Sequence, residues 1–547
     1  MPEIFTRVFR SPALAARFDR FLTEQSPQAV LNRSLAILIL ITCVTAWFSD
    51  LFFWPDEHYQ VLEFLSYKLG HTAAADLPWE FRAQMRSWMQ PFLYYLIAKP
   101  LLLAGIRDLF TLTFFLRLAT GALGLWALAA FARLVLADLA RPDEKNAFAK
   151  ALPFMGFLPY LFVRTASETA AAAFFTLGLV YAVQAARSGS WRRIAAAGLF
   201  CGLAFACRYQ SAFLGLGLFA WLVFIGKARK AQIAAFVTGG LAAVAAALLI
   251  DRWGYGHWCF PPWNYFAIDL LHGMTARVSG TSPFYAYFYL LPGNIFAPII
   301  VLMLAALVLA CLRNPRHYVT WPTAAFFLAH CLLGHKEERF LFPLAILATS
   351  YPVLAFSPGR AFPAIGRLWQ YRRSLLAKFT GWSAVAAMLF LAVYPFGIRP
   401  HMKMAKYLYR HFPRGLTAYT FEQKTFASYP MYRPPHYRSE RLLSRAELAR
   451  RLAKGPIYLF TETPTLPQDA LPQGTRAELL YSEFVFARDA KLAPWGTRLM
   501  CDYANLRKTT PVHPPRLAWM TLFKLSRSGP STAAYSPCTP AWTVPLE

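Results

Sequence analysis

Acidic side chains are scarce in this chain. Only 28 Asp and Glu stand against 56 Lys and Arg, for a formal charge of +28, and charged residues of either sign fill just 15% of the 547 positions. A soluble protein carries about 25%, so a water-soluble globule is excluded as a description of the whole. None of the eight cysteines forms a CxxC pair, which removes a zinc-type cysteine site. Cys43, Cys201, Cys207, Cys311 and Cys331 fall in apolar runs as packing residues, and Cys259 in a loop. There is no internal repeat and no low-complexity tract. No cleavable leader is expected either, because residues 1–30 are mixed and Arg-containing and the first apolar run is long enough to span a membrane.

What the chain does have is apolar sequence, 57% of its residues, arranged in runs of about 16–29 residues with short polar breaks, the pattern of transmembrane helices. Nucleic acid is excluded as a partner because the basic clusters alternate with these runs and do not form one face; there they set topology and meet anionic lipid.

Residues 1–34 carry Arg7, Arg10, Arg17, Arg20 and Arg33 and are placed in the cytoplasm. Spans are expected near Leu35–Phe53, Gln90–Gly105, Leu109–Ala137, Ser167–Ala186, Ile194–Cys207, Ser211–Ile225, Ala231–Ile250, Phe284–Leu312, Tyr318–Leu333, Leu341–Phe356 and Phe379–Phe396. That is about eleven crossings between 35 and 397. The short run Ala151–Val163, broken by Pro153 and Pro159, reads as re-entrant. This arrangement keeps the Arg192-Arg193 and Lys227-to-Lys230 loops inside, as the positive-inside rule requires. It puts the first loop (54–88), Arg164, Arg208, the long loop (251–283), His335–Arg339 and the C-terminus outside. Residues 398–547 read as a small soluble α/β domain, with strands at Lys454–Glu462, Leu479–Phe486 and Ala518–Leu525 and a helix at Ser444–Leu452. If the outer side is oxidising, Cys501 and Cys538 could form a disulfide; otherwise they are two free thiols.

Two clusters stand out against this apolar background. His335-Lys336-Glu337-Glu338-Arg339-Phe340 packs five ionisable groups between two apolar runs. Charges at a membrane edge are functional candidates, and mixed signs on the outer side weigh against a merely solvated loop. In the first outer loop, Trp54-Pro55-Asp56-Glu57-His58-Tyr59-Gln60, continuing to Glu63, sets adjacent carboxylates directly after a span. Asp56 could simply cap a helix. From Glu57 onward the apolar spacing suggests an amphipathic helix lying on the membrane, which would hold a general base between a water-soluble acceptor and a lipid-borne donor. Arg164 and Arg208 each end a span and, taken singly, read as snorkelling anchors. With His335, Lys336 and Arg339 they set positive charge opposite Asp56 and Glu57. That is the distribution a glycosyl-phosphate site needs: a base for the acceptor hydroxyl and cations for the departing phosphate.

These residues resemble a known family. His335 to Phe340 looks like the HKExRF signature of the lipid-phosphate-mannose-dependent mannosyltransferases, glycosyltransferase family 22. Pro55 to Gln60 with Glu63 resembles that family's first-loop acidic motif. The segment Asp251 to Gly256, with Pro262, Asn264, His272, Gly273, Gly280, Thr281 and Tyr287, is similar to the long loop of its GPI third-mannose members. Arg164-Thr165 is similar to their RT-x-x-N motif, with Glu168 where Asn is usual.

The resemblance implies a polytopic α-helical membrane protein of GT-C fold, a polyprenyl- or dolichyl-phosphate-mannose donor, a glycan or glycolipid acceptor and inversion to an α-mannoside. It makes Asp56 the candidate base, with Glu57 beside it. Lys336, Arg339, His335, Arg164 and Arg208 become candidate phosphate contacts, and Gln60, Glu63, Tyr255, Trp258, Trp263 and Asn264 candidate sugar contacts. The aromatics among these read equally as an interfacial belt. No cofactor or metal is expected. The alternatives are a GT-C transferase of another lipid-linked sugar (arabinose, glucose or an aminosugar) and a lipid-sugar transporter. The expected location is an integral-membrane site facing outward, in a bacterial inner membrane, or in the endoplasmic reticulum if the source is eukaryotic.

Overall fold

Apolar runs become helices wherever nothing in them breaks the backbone ladder. The computed structural model describes residues 26–50, 52, 54–294, 297–356, 401–421, 429–461, 465–467, 471–483, 520–527 and 535–536. The expected span Phe379–Phe396 and both Cys501 and Cys538 lie outside these residues. Among the described residues, four helices are long and apolar enough to cross a membrane: Pro27–Phe48, Leu109–Asp138, Ser167–Ser188 and Lys230–Tyr255. Local chemistry sets their ends. Ser26 accepts from the Ala29 amide ahead of Pro27. Asp108 accepts from Thr111. Gly189 and Gly256 close their helices in the left-handed conformation that only glycine adopts without strain.

Other expected spans are shorter or broken. Met89–Leu103, Trp191–Cys207, Ala212–Phe224 and Thr320–Leu332 are continuous helices of 13 to 17 residues. The run expected as a span over Leu341–Phe356 is not one helix. It winds as a 3-10 segment, Glu338–Leu344, then Ala345–Ala348 and Tyr351–Phe356, because Pro343 and Pro352 each remove a backbone donor. The Ala151–Val163 stretch is likewise split, at Leu152–Phe154 and Phe157–Phe162.

Ser167–Ser188 is the central helix: 83% of its apolar window is covered by protein, against 22% for Lys230–Tyr255. Trp191–Cys207 meets Lys230–Tyr255 backbone to backbone through small residues. A Cβ added at Gly198 would stand 1.8 Å from the Phe236 carbonyl oxygen, and one at Gly239 would stand 2.1 Å from that of Ala195. Lipid tails give helices no hydrophobic reason to associate, so close approach at small residues carries the contact.

The first outer loop departs from expectation. It is not a helix lying on a membrane. Pro55–Glu57 runs into a π-helical turn, His58–Leu62, and then Glu63–Leu69, with Phe64 and Leu65 fully buried. Phe64 packs on Trp88, at 4.8 Å between ring centroids.

The C-terminal region builds a five-stranded sheet from β1 (Thr417–Thr420), β2 (Arg438–Arg441), β3 (Ile457–Thr461), β5 (Thr475–Ser482) and β6 (Thr521–Arg527) in the order β2-β1-β3-β6-β5. A two-residue pair, β4 (Leu466–Pro467) and β7 (Tyr535–Ser536), stands apart. β1 runs parallel to β2 and β3, and β6 is antiparallel to β3 and β5. Alternating side chains serve two cores. Leu459, Phe523 and Leu525 pack with Leu448 and Leu452 of the helix Arg445–Leu452. Ala418, Phe460 and Leu522 face Met404 and Leu408 of the helix His401–His411, together with Phe110, Leu112 and Leu116 of the membrane helix. The sheet is thus bound to the helical region by a shared apolar core.

Gly198→Ala is expected to cost about 1–3 kcal/mol, read as a lowered unfolding midpoint of the detergent-solubilised protein. Gly215→Ala, which meets nothing within 4 Å, is expected to leave the midpoint in place.

Candidate active site

A single cavity of about 1130 Å³ opens where the first loop, the long loop and the segment after Thr320–Leu332 converge. Drug-sized sites enclose about 300–1,000 Å³, and this one lies just above that range. Its wall carries the carboxylates Asp56, Glu80, Asp269 and Glu337, the cations Arg86, Arg208 and Arg339, and His335. Phe205, Phe213, Leu270, Met274, Val278 and Leu333 supply an apolar share.

Arg339 is the centre of the polar wall. Its Nη2 lies 2.6 Å from Asp56 Oδ2, its Nη1 lies 3.9 Å from Glu168 Oε1, and its Nε donates to Glu337 Oε2. Glu168 also holds Arg208, at 3.3 Å. The residue standing where Asn is usual in the resembled motif therefore ties two cavity arginines together from below. Glu337 accepts from Arg339 and pairs with His335 Nε2 at 3.0 Å. Burial alone would raise the Asp56 carboxyl, but Arg339, with Arg86 and Arg208 behind it, outweighs burial and holds it below the ordinary carboxylate value. Glu337 is lowered in the same way, with His335 and Arg339 outweighing burial. Its hydrogen bond in turn raises His335.

Several sequence-predicted residues lie off this wall. Glu57, one residue from Asp56, points into the core, where Oε1 accepts from the Thr165 amide at 2.8 Å and the Thr165 hydroxyl at 3.2 Å, with Arg164 at 3.9 Å. Arg164 is buried, donates to the Ser49 carbonyl at 3.1 Å and lies over the Tyr160 ring. Lys336 spends its ammonium on the backbone carbonyls of Ser282 and Leu333. Gln60 donates to Glu80 at 3.1 Å. Glu63 is fully buried; it meets His58 at 2.6 Å and accepts from Thr72 at 2.7 Å and from the Met431 amide at 3.0 Å.

In the long loop, Trp258 lies under Arg252, Trp263 packs on Phe266, and Asn264 donates to the Gln84 carbonyl. The loop reaches the cavity through other residues, among them Pro262, Tyr265, Phe266 and Asp269. Glu57, Glu63, Asn264 and Arg164 therefore act here as supports that position chain segments.

Arg86 was not among the sequence candidates. Two distant residues place it. Asp251 Oδ1 accepts from the Trp88 amide at 2.6 Å and the Ser87 hydroxyl at 3.2 Å. Tyr255 donates its hydroxyl to the Arg86 carbonyl at 2.7 Å. Gly254 lies flat under Trp88, where a Cβ would stand 2.1 Å from the indole. The Arg86 side chain is the least committed guanidinium on the wall. Its carboxylate neighbour, Glu80, is 3.8 Å away, and its Nε is buried with no hydrogen-bond partner among the described residues. Arg86 lines the cavity, and a guanidinium with so few partners is suited to an incoming anion.

The sequence model of the Alg9-like mannosyltransferase family matches residues 34–425. The chain is similar to GPI alpha-1,2-mannosyltransferase 3 of Xenopus laevis, 27% identical over 322 residues, covering 56% of this chain and 56% of that one. It is also similar to GPI mannosyltransferase 3 of Yarrowia lipolytica, 27% identical over 379 residues, covering 67% and 68%. The chain thus spans little more than half the length of the Xenopus relative. Among solved structures it is similar to ArnT from Cupriavidus metallidurans bound to undecaprenyl phosphate, at 12% identity and a TM-score of 0.47, covering 91% of this chain and 98% of that one; at that score the likeness is weak.

Arg339→Gln would leave three carboxylates facing one another, with an expected cost of about 3–5 kcal/mol, read by thermal unfolding; adding Glu168→Gln should recover part of it. Asp56 and Glu337 titrate below their ordinary values when folded, so the stability they contribute is present above the ordinary carboxylate range. It is lost as pH falls through those depressed values. In Arg339→Gln that loss is expected at higher pH than in the wild type.

Proposed function

The chain belongs to the Alg9-like mannosyltransferase family, and on that premise we propose that it is an inverting membrane glycosyltransferase of GT-C fold. It moves mannose from a polyprenyl- or dolichyl-phosphate-mannose donor to a glycan or glycolipid acceptor. The observation that carries this reading is the Asp56–Arg339 ion pair on the wall of one cavity that also holds Arg86 and Arg208. In the proposed step, Asp56 takes the acceptor's hydroxyl proton while that oxygen attacks the anomeric carbon. The bond from carbon to phosphate oxygen breaks on the opposite face, and its electron pair leaves with the phosphomonoester. Arg86, Arg208 and Arg339 stabilise the charge that develops there. This displacement runs on side chains alone, without a cofactor.

The resting ion pair makes Asp56 a weak base. A donor phosphate that draws Arg339 toward itself would remove the largest influence lowering the carboxyl, so binding the donor strengthens the base. The prenyl chain is assigned to the apolar rim, where Leu270, Met274 and Val278 are exposed. The helices support an outward-facing site. Ser167–Ser188 carries Glu168 at its cavity end and Arg187 at the other, while Trp191–Cys207 starts at Arg192 and Arg193 and leads to Arg208. Basic far ends are cytoplasmic by the positive-inside rule.

With purified protein and undecaprenyl-phosphate-mannose, Asp56→Asn is expected to lower kcat by about 10²–10⁴-fold and to retain donor binding. Arg86→Lys, a point charge without the planar fork, is expected to weaken the donor KM about tenfold. Full transfer by Asp56→Asn, or transfer from a glucose or arabinose lipid with none from the mannose lipid, would contradict the reading.

A further inference from the structure

Tyr429 lies beyond residue 425, where the family match ends, yet it lines the same cavity as Asp56. It is brought there by a pinned turn. Glu63 accepts from the Met431 amide at 3.0 Å. The Tyr432 ring stacks 4.2 Å from Phe110 and 5.6 Å from His58, and its hydroxyl donates to Thr113 at 3.3 Å. Arg433 pairs with Asp76 at 3.3 Å. A buried carboxylate, a sandwiched ring and an outer ion pair fix residues 431–433 to the first loop, and Tyr429 with them. Its ring meets Phe52 at 5.3 Å and 85°, and Tyr59 at 6.0 Å; all three residues line the cavity.

Asp56 and Tyr59 sit three residues apart on one helical winding, Pro55–Leu62, so they project to neighbouring positions on one side. One helical turn, about 5 Å, is the scale of a single sugar ring. A group seated on Tyr59 and Tyr429 can therefore present a hydroxyl to the base. Three other aromatic rings of the wall lie under arginines: Tyr265 under Arg86 at 5.4 Å, and Trp54 and Phe340 under Arg339 at 5.2 and 5.4 Å. Those rings belong to the anion end. The C–H face of a hexopyranose is weakly positive and fits the negative face of an aromatic ring, and a tyrosine adds a polar edge.

We propose that Phe52, Tyr59 and Tyr429 form the acceptor subsite, with Tyr429 stacking on a hexopyranose of the glycan or glycolipid acceptor. Phe52 and Tyr59 come from the family-matched part and Tyr429 from beyond it, so acceptor recognition joins the two. This rests on the transferase reading above and names the residues that read its second substrate.

The test uses the full chain in detergent and two probes, methyl α-D-mannopyranoside followed by saturation-transfer NMR, and undecaprenyl phosphate followed by direct binding. Tyr429→Ala should weaken the sugar signal about fivefold with the lipid affinity retained. Tyr429→Phe should restore the sugar signal, and Arg86→Ala should show the opposite pattern. An unchanged sugar signal in Tyr429→Ala, no sugar signal from the wild type, or loss of both probes in both Tyr429 variants would overturn the subsite. Undecaprenyl phosphate failing to bind the wild type would sink the donor reading and leave the sugar result standing.

Discussion

One guanidinium holds the site together. Arg339 faces Asp56, Glu337 and Glu168 at once, from three separate parts of the chain. Charges withdrawn from water are costly unless each finds a partner with good geometry, so none of these groups can be placed alone. Once Arg339 is seated, the first loop, the central helix and the segment before Phe340 are locked to one another. Because Arg208 shares Glu168, a fourth element is included. The cations of the wall are therefore gathered around the cavity before any substrate arrives, with Arg339 resting on Asp56.

Behind this wall, carboxylates on backbone amides do the positioning. Glu57 holds Thr165, Asp251 holds Trp88, and Glu63 holds Met431. Each joins positions far apart in sequence and points away from the cavity or lies beneath it. Acidic residues are scarce in this chain, and these three are used as supports that aim Asp56, Arg86 and Tyr429.

The pattern of apolar runs made the helical core legible, and the two mixed-sign clusters pointed to Asp56 and Arg339 because charge at the end of an apolar run needs a reason. Resolution failed between neighbours. Asp56 and Glu57 are adjacent on a helix, so their side chains diverge, one to the cavity and one to the core. Glu337 is extended, with φ −134° and ψ 148°, which turns Lys336 and the residues after it to different sides. Neither divergence shows in a one-dimensional motif. Arg86 was invisible for another reason: it is one of 56 basic residues, and its place depends on Asp251 and Tyr255, more than 160 positions away. The apolar content of Leu341–Phe356 reads as a span, but Pro343 and Pro352 break it.

The most direct measurement is a cryo-electron microscopy structure of the protein with undecaprenyl phosphate bound. The phosphate is expected within hydrogen-bond distance, about 3 Å, of Arg86 and Arg339, with the Asp56 carboxylate released from its ion pair and facing open cavity. A phosphate held instead by Lys336 or Arg164, or bound outside this cavity with Asp56 still on Arg339, would contradict the arrangement from which the function is derived.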